Sequence, residues 1–113
     1  MRLISLLALL AAPAPALADD VTPALTATYV CAGGAVLRVA YLNPSPDDSL
    51  AVVDYGGRLI PMRAGPTGSG VRYVAFDPVP GFVWHGKGPD GTLFTDGENG
   101  QRAILEDCHQ VGS

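Results

Sequence analysis

Six side chains of this sequence have the chemistry to do more than pack: Cys31, Cys108, Ser69, His85, His109 and Lys87. Ser69, His85 and an aspartate are the residue types of a nucleophilic triad. That chemistry is defined by geometry, with the serine raised on a sharp strand-to-helix turn. Ser69 stands instead in Thr67-Gly68-Ser69-Gly70, with no helical period after it, so a hydrolase centred on Ser69 is the weakest reading. The two histidines and two cysteines match no zinc spacing. No catalytic residue, metal ligand or cofactor is therefore assigned. The run 65–70 lacks the lysine and the helix of a phosphate-binding loop, and reads as a flexible hairpin loop. Gly68 and Gly70 would let the backbone and hydroxyl of Ser69 approach a partner closely. Lys87 is the only lysine, set between Gly86 and Gly88. An ammonium on such a turn is either merely solvated or a partner contact, and residue types leave both open.

The two cysteines need an oxidising compartment to pair, and the first 18 residues point to one. Arg2, an apolar run over 3–12 broken only by Ser5, two prolines at 13 and 15, and Ala16-Leu17-Ala18 have the form of a cleaved export signal. The run is shorter than the roughly 20 residues that span a bilayer. No cysteine borders the cleavage point. The expected product is a periplasmic or secreted chain, residues 19–113, with no stable membrane anchor. Cys31 and Cys108 both lie in it, near its two ends. A bridge between them closes most of the domain and contributes about 4 kcal/mol in the chain-entropy description. A domain of this size has a modest core, so such a staple matters.

Without the leader, six basic side chains remain against eleven acidic ones, a net charge of −5. That balance excludes a phosphate-backbone binder, which needs clustered Lys and Arg. It suits either plain solubility or steering toward a basic protein.

The elements that must hold these residues are short strands. Glycine and proline recur at short intervals, and no stretch of the mature chain keeps a helical period for three turns. Alternation and β-branched or aromatic enrichment predict strands over 26–31, 35–43, 50–55, 58–63, 71–76, 82–84, 92–95 and 101–106. In the second, Leu37, Val39 and Tyr41 share the buried face, while Val36, Arg38, Ala40 and Leu42 point away. Gly56-Gly57 is a two-residue hairpin turn, and Pro61 suggests a sheet edge or a bulge. Turns fall at 43–48, 77–81, 86–91 and 96–100. Eight strands at this spacing predict an all-β fold, a small antiparallel barrel of one domain closed by one disulfide.

At the two glycine-rich loops the sequence resembles the membrane-bound or periplasmic inhibitors of C-type lysozyme, the MliC/PliC family. The likeness covers nearly all of residues 19–113. It runs from Tyr29-Val30-Cys31 through Tyr41, Asn43 and Gly68-Ser69-Gly70-Val71-Arg72-Tyr73 to Trp84, Lys87-Gly88, Thr92-Leu93 and Cys108. The resemblance implies an eight-stranded barrel with a disulfide like Cys31–Cys108. It also implies a C-type lysozyme as protein partner, with Ser69 and Lys87 entering its active-site cleft. Tyr73 is carried over as their neighbour, and Gly68, Gly70, Trp84 and Gly88 as parts of the same two loops. The family pattern has one residue between the Trp and the Lys, where this chain has His85 and Gly86. Pro89-Asp90-Gly91 also departs from the pattern, and the turn over 77–81 is longer. The runner-up reading is a binding module of the same fold for another lysozyme class or a cell-envelope ligand.

Overall fold

The computed structural model describes residues 24–45, 48–97 and 100–112. The expected leader, residues 1–18, lies outside them. Eight strands follow one another: β1 Ala24–Val30, β2 Val36–Ser45, β3 Asp48–Tyr55, β4 Arg58–Gly65, β5 Val71–Ala75, β6 Gly81–Lys87, β7 Asp90–Gly97 and β8 Gly100–Gly112. Each pairs antiparallel with the next, and β8 returns to β1, so the sheet is a closed barrel. This is the architecture expected from the strand spacing.

Alternation in β2 works as predicted. Leu37 and Val39 are buried while Val36 and Arg38 are exposed, and Tyr41 is half-buried against the core. Val39 stands opposite Ala27 on one side and Val53 on the other, and Val53 stands opposite Ile60. All four are buried, so they form one interior layer contributed by four strands. On the other wall, Tyr73, Trp84 and Leu93 make a second buried layer in register across β5, β6 and β7. Small barrels are filled in this way by inward side chains, and closure leaves few strand edges to aggregate.

Gly56 and Gly57 have φ of +59° and +78°, the left-handed values that a two-residue hairpin turn of the primed type requires. Pro61 corrects an expectation. It sits on neither an edge nor a bulge, because β3 and β4 pair without a shift from Leu50–Arg63 to Tyr55–Arg58. Its carbonyl accepts from the Phe76 N–H at 3.1 Å, just past the last residue of β5. A proline cannot return that bond, and it is tolerated where the ladder with β5 ends.

Several strands run further than their local composition suggests. β2 continues through Pro44 to Ser45, with a register shift after Leu42. β6 and β7 shorten the expected turn over 86–91 to the pair 88–89, and β7 and β8 extend to Gly97 and from Gly100. β8 reaches Gly112, well past the expected end at 106. Pairing on both sides of a strand in a closed sheet outweighs the weak local preference of glycine.

Cys31 and Cys108 are bonded, with an S–S distance of 2.07 Å, and both are buried. The bridge lies beside the seam of the barrel. There, among the described residues, β1 and β8 pair through Thr28, Tyr29 and Val30, opposite Gly112, Gln110 and His109. The covalent link therefore reinforces the shortest ladder among the described residues.

Candidate functional site

Strands of an up-and-down barrel alternate in direction, so the β4–β5 and β6–β7 connections leave it at the same end. This brings the two glycine-rich loops together. Val71 lies opposite Gly86 and Tyr73 opposite Trp84. Gly70 has φ of +69°, and a Cβ there would fall 2.3 Å from the Gly86 carbonyl oxygen and 3.3 Å from the Lys87 Cβ. Glycine at 70 thus meets two demands at once, a left-handed backbone and contact with the neighbouring strand.

Ser69 is exposed in the β4–β5 loop, beside the exposed Gly68. Its carbonyl accepts two hydrogen bonds, from Thr67 Oγ1 at 2.9 Å and from His85 Nε2 at 3.0 Å. A carbonyl only accepts, so the proton in the second bond is on Nε2. The Ser69 hydroxyl has no hydrogen-bond partner among the described residues. Lys87, the last residue of β6, is exposed and opposite Asp90. Among the described residues its ammonium has no ion pair, because Asp90 is taken by His109, whose Nδ1 donates to Oδ1 at 2.5 Å. Gly88 opens the two-residue turn with φ of +60°.

Trp84 and Tyr73 are placed differently. Trp84 is 0% exposed and Tyr73 6%, so both support the loops from within the barrel. Trp84 Nε1 donates to the Tyr41 hydroxyl at 2.8 Å, and Tyr41 and Tyr29 share a hydrogen bond of 2.7 Å. Tyr29 also meets Trp84 edge to face, at 4.9 Å between ring centroids. The Trp84 ring lies over Gly91, where a Cβ would come within 2.3 Å of Cη2. Ser49 gives its proton to Asn43 Oδ1 at 2.9 Å, so the Tyr73 hydroxyl donates to Ser49 Oγ at 3.0 Å. Burial pushes the Tyr41 hydroxyl well above the ordinary tyrosine range, and its bond to Tyr29 pushes the same way. Burial also raises Tyr29, with the bond from Tyr41 opposing. Both stay neutral donors and acceptors at ordinary pH. Beside them a shallow cavity of about 230 Å³ is lined by Tyr29, Tyr41, Tyr73, Gly70, Gly86 and Gln110.

The spacing between Trp84 and Lys87 has a geometric result. Along a strand, residues three apart face opposite ways. Trp84 points into the barrel and Lys87 out, in agreement with their burial, while His85 and Gly86 between them are both half-buried. An interval of one residue would put the lysine on the same face as the tryptophan. His85 lies inside β6 and bonds the Ser69 carbonyl, a contact that no local sequence signal shows. Gly86 and Gly91 admit the neighbouring loop and the indole ring, a demand set by residues outside their own turn. Two-residue alternation carried through 84–87 would have paired His85 with Lys87 on the outer face.

Comparison with known proteins agrees with the barrel. One family model, described as membrane-bound lysozyme-inhibitor of c-type lysozyme (MliC), matches residues 29–102. No curated protein matches. Among solved structures, the periplasmic lysozyme inhibitor of C-type lysozyme from Salmonella typhimurium (PliC) has the same fold, with a TM-score of 0.68 and 23% identity. The match covers 80% of this chain and 100% of that one. MliC of Pseudomonas aeruginosa, solved in complex with hen egg white lysozyme, is 27% identical with a TM-score of 0.60. It covers 92% of this chain and 100% of its own.

Proposed function

The chain belongs to the MliC family, and from that premise we propose that it is a periplasmic inhibitor that binds a C-type lysozyme and blocks its active-site cleft. In this reading the leader 1–18 exports it and residues 19–113 are the inhibitor. The observation that carries the site assignment is the pairing of two free polar groups at one end of the barrel. The Ser69 hydroxyl and the Lys87 ammonium are exposed and without partners among the described residues, and their loops touch through Gly70 and Gly86. C-type lysozyme works with two carboxyl groups across a cleft. An ammonium entering that cleft pairs with an ionised carboxylate where water is partly excluded. A serine hydroxyl beside it donates to one group and accepts from another. Gly68, Gly70 and Gly88 keep the loops narrow, and Trp84 and Tyr73 hold them from below. The acidic body speeds encounter with a basic lysozyme.

The role is binding rather than turnover. His85 is bonded to the Ser69 carbonyl and not to its hydroxyl, which has no activating partner among the described residues.

Inhibition assays on Ser69→Ala and Lys87→Ala test the assignment. Each variant is expected to lose about tenfold or more in inhibition, the scale of one charge-assisted or buried hydrogen bond. Both should keep the parent's melting temperature, because both side chains are exposed. If both inhibit like the parent, the site lies elsewhere. A second reading, the same fold binding another lysozyme class or an envelope ligand, is favoured by the outward face of Lys87. Binding measured against a panel of lysozyme classes and against peptidoglycan separates the two.

A further inference from the structure

We propose that His85 is a positioning residue that sets the presentation of Ser69 by tying the tip of the β4–β5 loop to β6. The proposal rests on the inhibitory reading of this end of the barrel. Three contacts hold the loop. Thr67 Oγ1 reaches the Ser69 carbonyl from only two residues away, so it travels with the loop and fixes nothing relative to the barrel. Gly70 packs on Gly86 and fixes the base of the loop. His85 Nε2 is the one side-chain donor from another element that bonds the tip among the described residues, and it does so across 16 positions of sequence.

The position of His85 explains how it reaches. It is outward-facing in β6, opposite Arg72 and half-buried, on the side of the strand that Lys87 also occupies. The ring thus passes beside the loop rather than into the core. Without it, Ser69 keeps its local turn but is held only at Gly70. A hydroxyl on a loosened loop makes the same contacts at a higher ordering cost, so affinity falls although no contacting atom has been removed. The residue that lengthens the Trp84–Lys87 interval turns Lys87 outward and, by the same alternation, places an imidazole where it can hold the serine.

A double-mutant cycle on inhibition of hen egg-white lysozyme tests this. His85→Ala is expected to weaken inhibition by about fivefold to tenfold, the scale of one neutral hydrogen bond and the order it imposes. His85→Gln, whose amide N–H can reach the same carbonyl, is expected to recover most of that loss. In a Ser69→Ala background, His85→Ala should change inhibition by less than about twofold, because its effect runs through Ser69. Equal losses in both backgrounds would mean that His85 touches the partner itself, and the proposal would be wrong. So would failure of His85→Gln to restore inhibition, or a His85→Ala protein as inhibitory as the parent.

The imidazole nitrogen shifts of the free protein supply an arm independent of lysozyme. They are expected to place the neutral ring's proton on Nε2, and the Ser69 amide should gain motion in His85→Ala. A proton on Nδ1 would overturn the tie even in a fully active inhibitor. A parent chain that does not inhibit, yet shows the Nε2 proton and the loosened amide on substitution, would defeat the inhibitory reading and leave the tie standing.

Discussion

The two ends of the barrel are built to different rules. At one, Tyr55 meets Phe82 edge to face at 6.0 Å, and the Arg58 guanidinium lies 5.5 Å from the Phe82 ring centroid, so aromatic surface and a cation close the interior. At the other, the rings are tied by hydrogen bonds. Trp84, Tyr41 and Tyr29 form a hydrogen-bonded chain, Tyr73 is tied through Ser49 to Asn43, and glycines at 70, 86 and 91 replace side chains where backbone and indole approach. The first end is stable because it is filled. The second is shaped because it is not, and its polar groups must all find partners inside while Ser69 and Lys87 are left over outside. Stability and binding should therefore separate by end.

The sharpest test of that separation is a matched pair of truncations. Trp84→Ala and Phe82→Ala each remove a buried ring and should cost about 3–5 kcal/mol by denaturant unfolding. Only Trp84→Ala should also weaken inhibition per folded molecule, since it withdraws the floor beneath Gly86 and Gly91. If Phe82→Ala, assayed below its melting transition, loses inhibition as fully, the two ends are not independent. Next in size is Gly70→Ala. The added methyl meets the Gly86 carbonyl and a positive φ, so a loss of about 1–3 kcal/mol is expected, together with poorer inhibition. The same substitution at Gly57, also at positive φ but in open space, should cost stability alone.

A smaller effect is alkaline. Tyr29 and Tyr41 have hydroxyl pKa values raised above 10.0 in the folded chain by burial. The unfolded chain releases those protons near pH 10 while the folded chain keeps them, so the unfolded state binds fewer protons and is favoured as pH rises. Stability should hold below about pH 10 and fall above it. Absorbance near 295 nm should show these two phenols ionising only with unfolding. Smallest is salt. Raising ionic strength screens the acidic body and should slow association with a basic lysozyme, while dissociation changes little.

Much of this was legible in the residues. Leu37, Val39 and Tyr41 alternate cleanly because the second strand has one face in the core, and Gly56-Gly57 can hardly be anything but a tight turn. The two cysteines pair as expected. What was not legible depends on neighbours distant in sequence. β6, β7 and β8 run through glycines because strands on both sides hold them. Pro61 is harmless because β5 happens to stop beside it. The link between His85 and the Ser69 carbonyl exists only once β5 lies against β6. Ser69 and Lys87 were singled out by loop context and resemblance. That the Lys87 side chain faces away from Trp84 follows from counting residues along a strand.

Titrating hen egg-white lysozyme with purified residues 19–113, while following lysis of peptidoglycan, puts inhibition to a direct test. Saturable loss of lytic activity is expected, with an endpoint at one inhibitor per lysozyme. Undiminished lysis at a large molar excess of the folded, disulfide-bonded chain would contradict it.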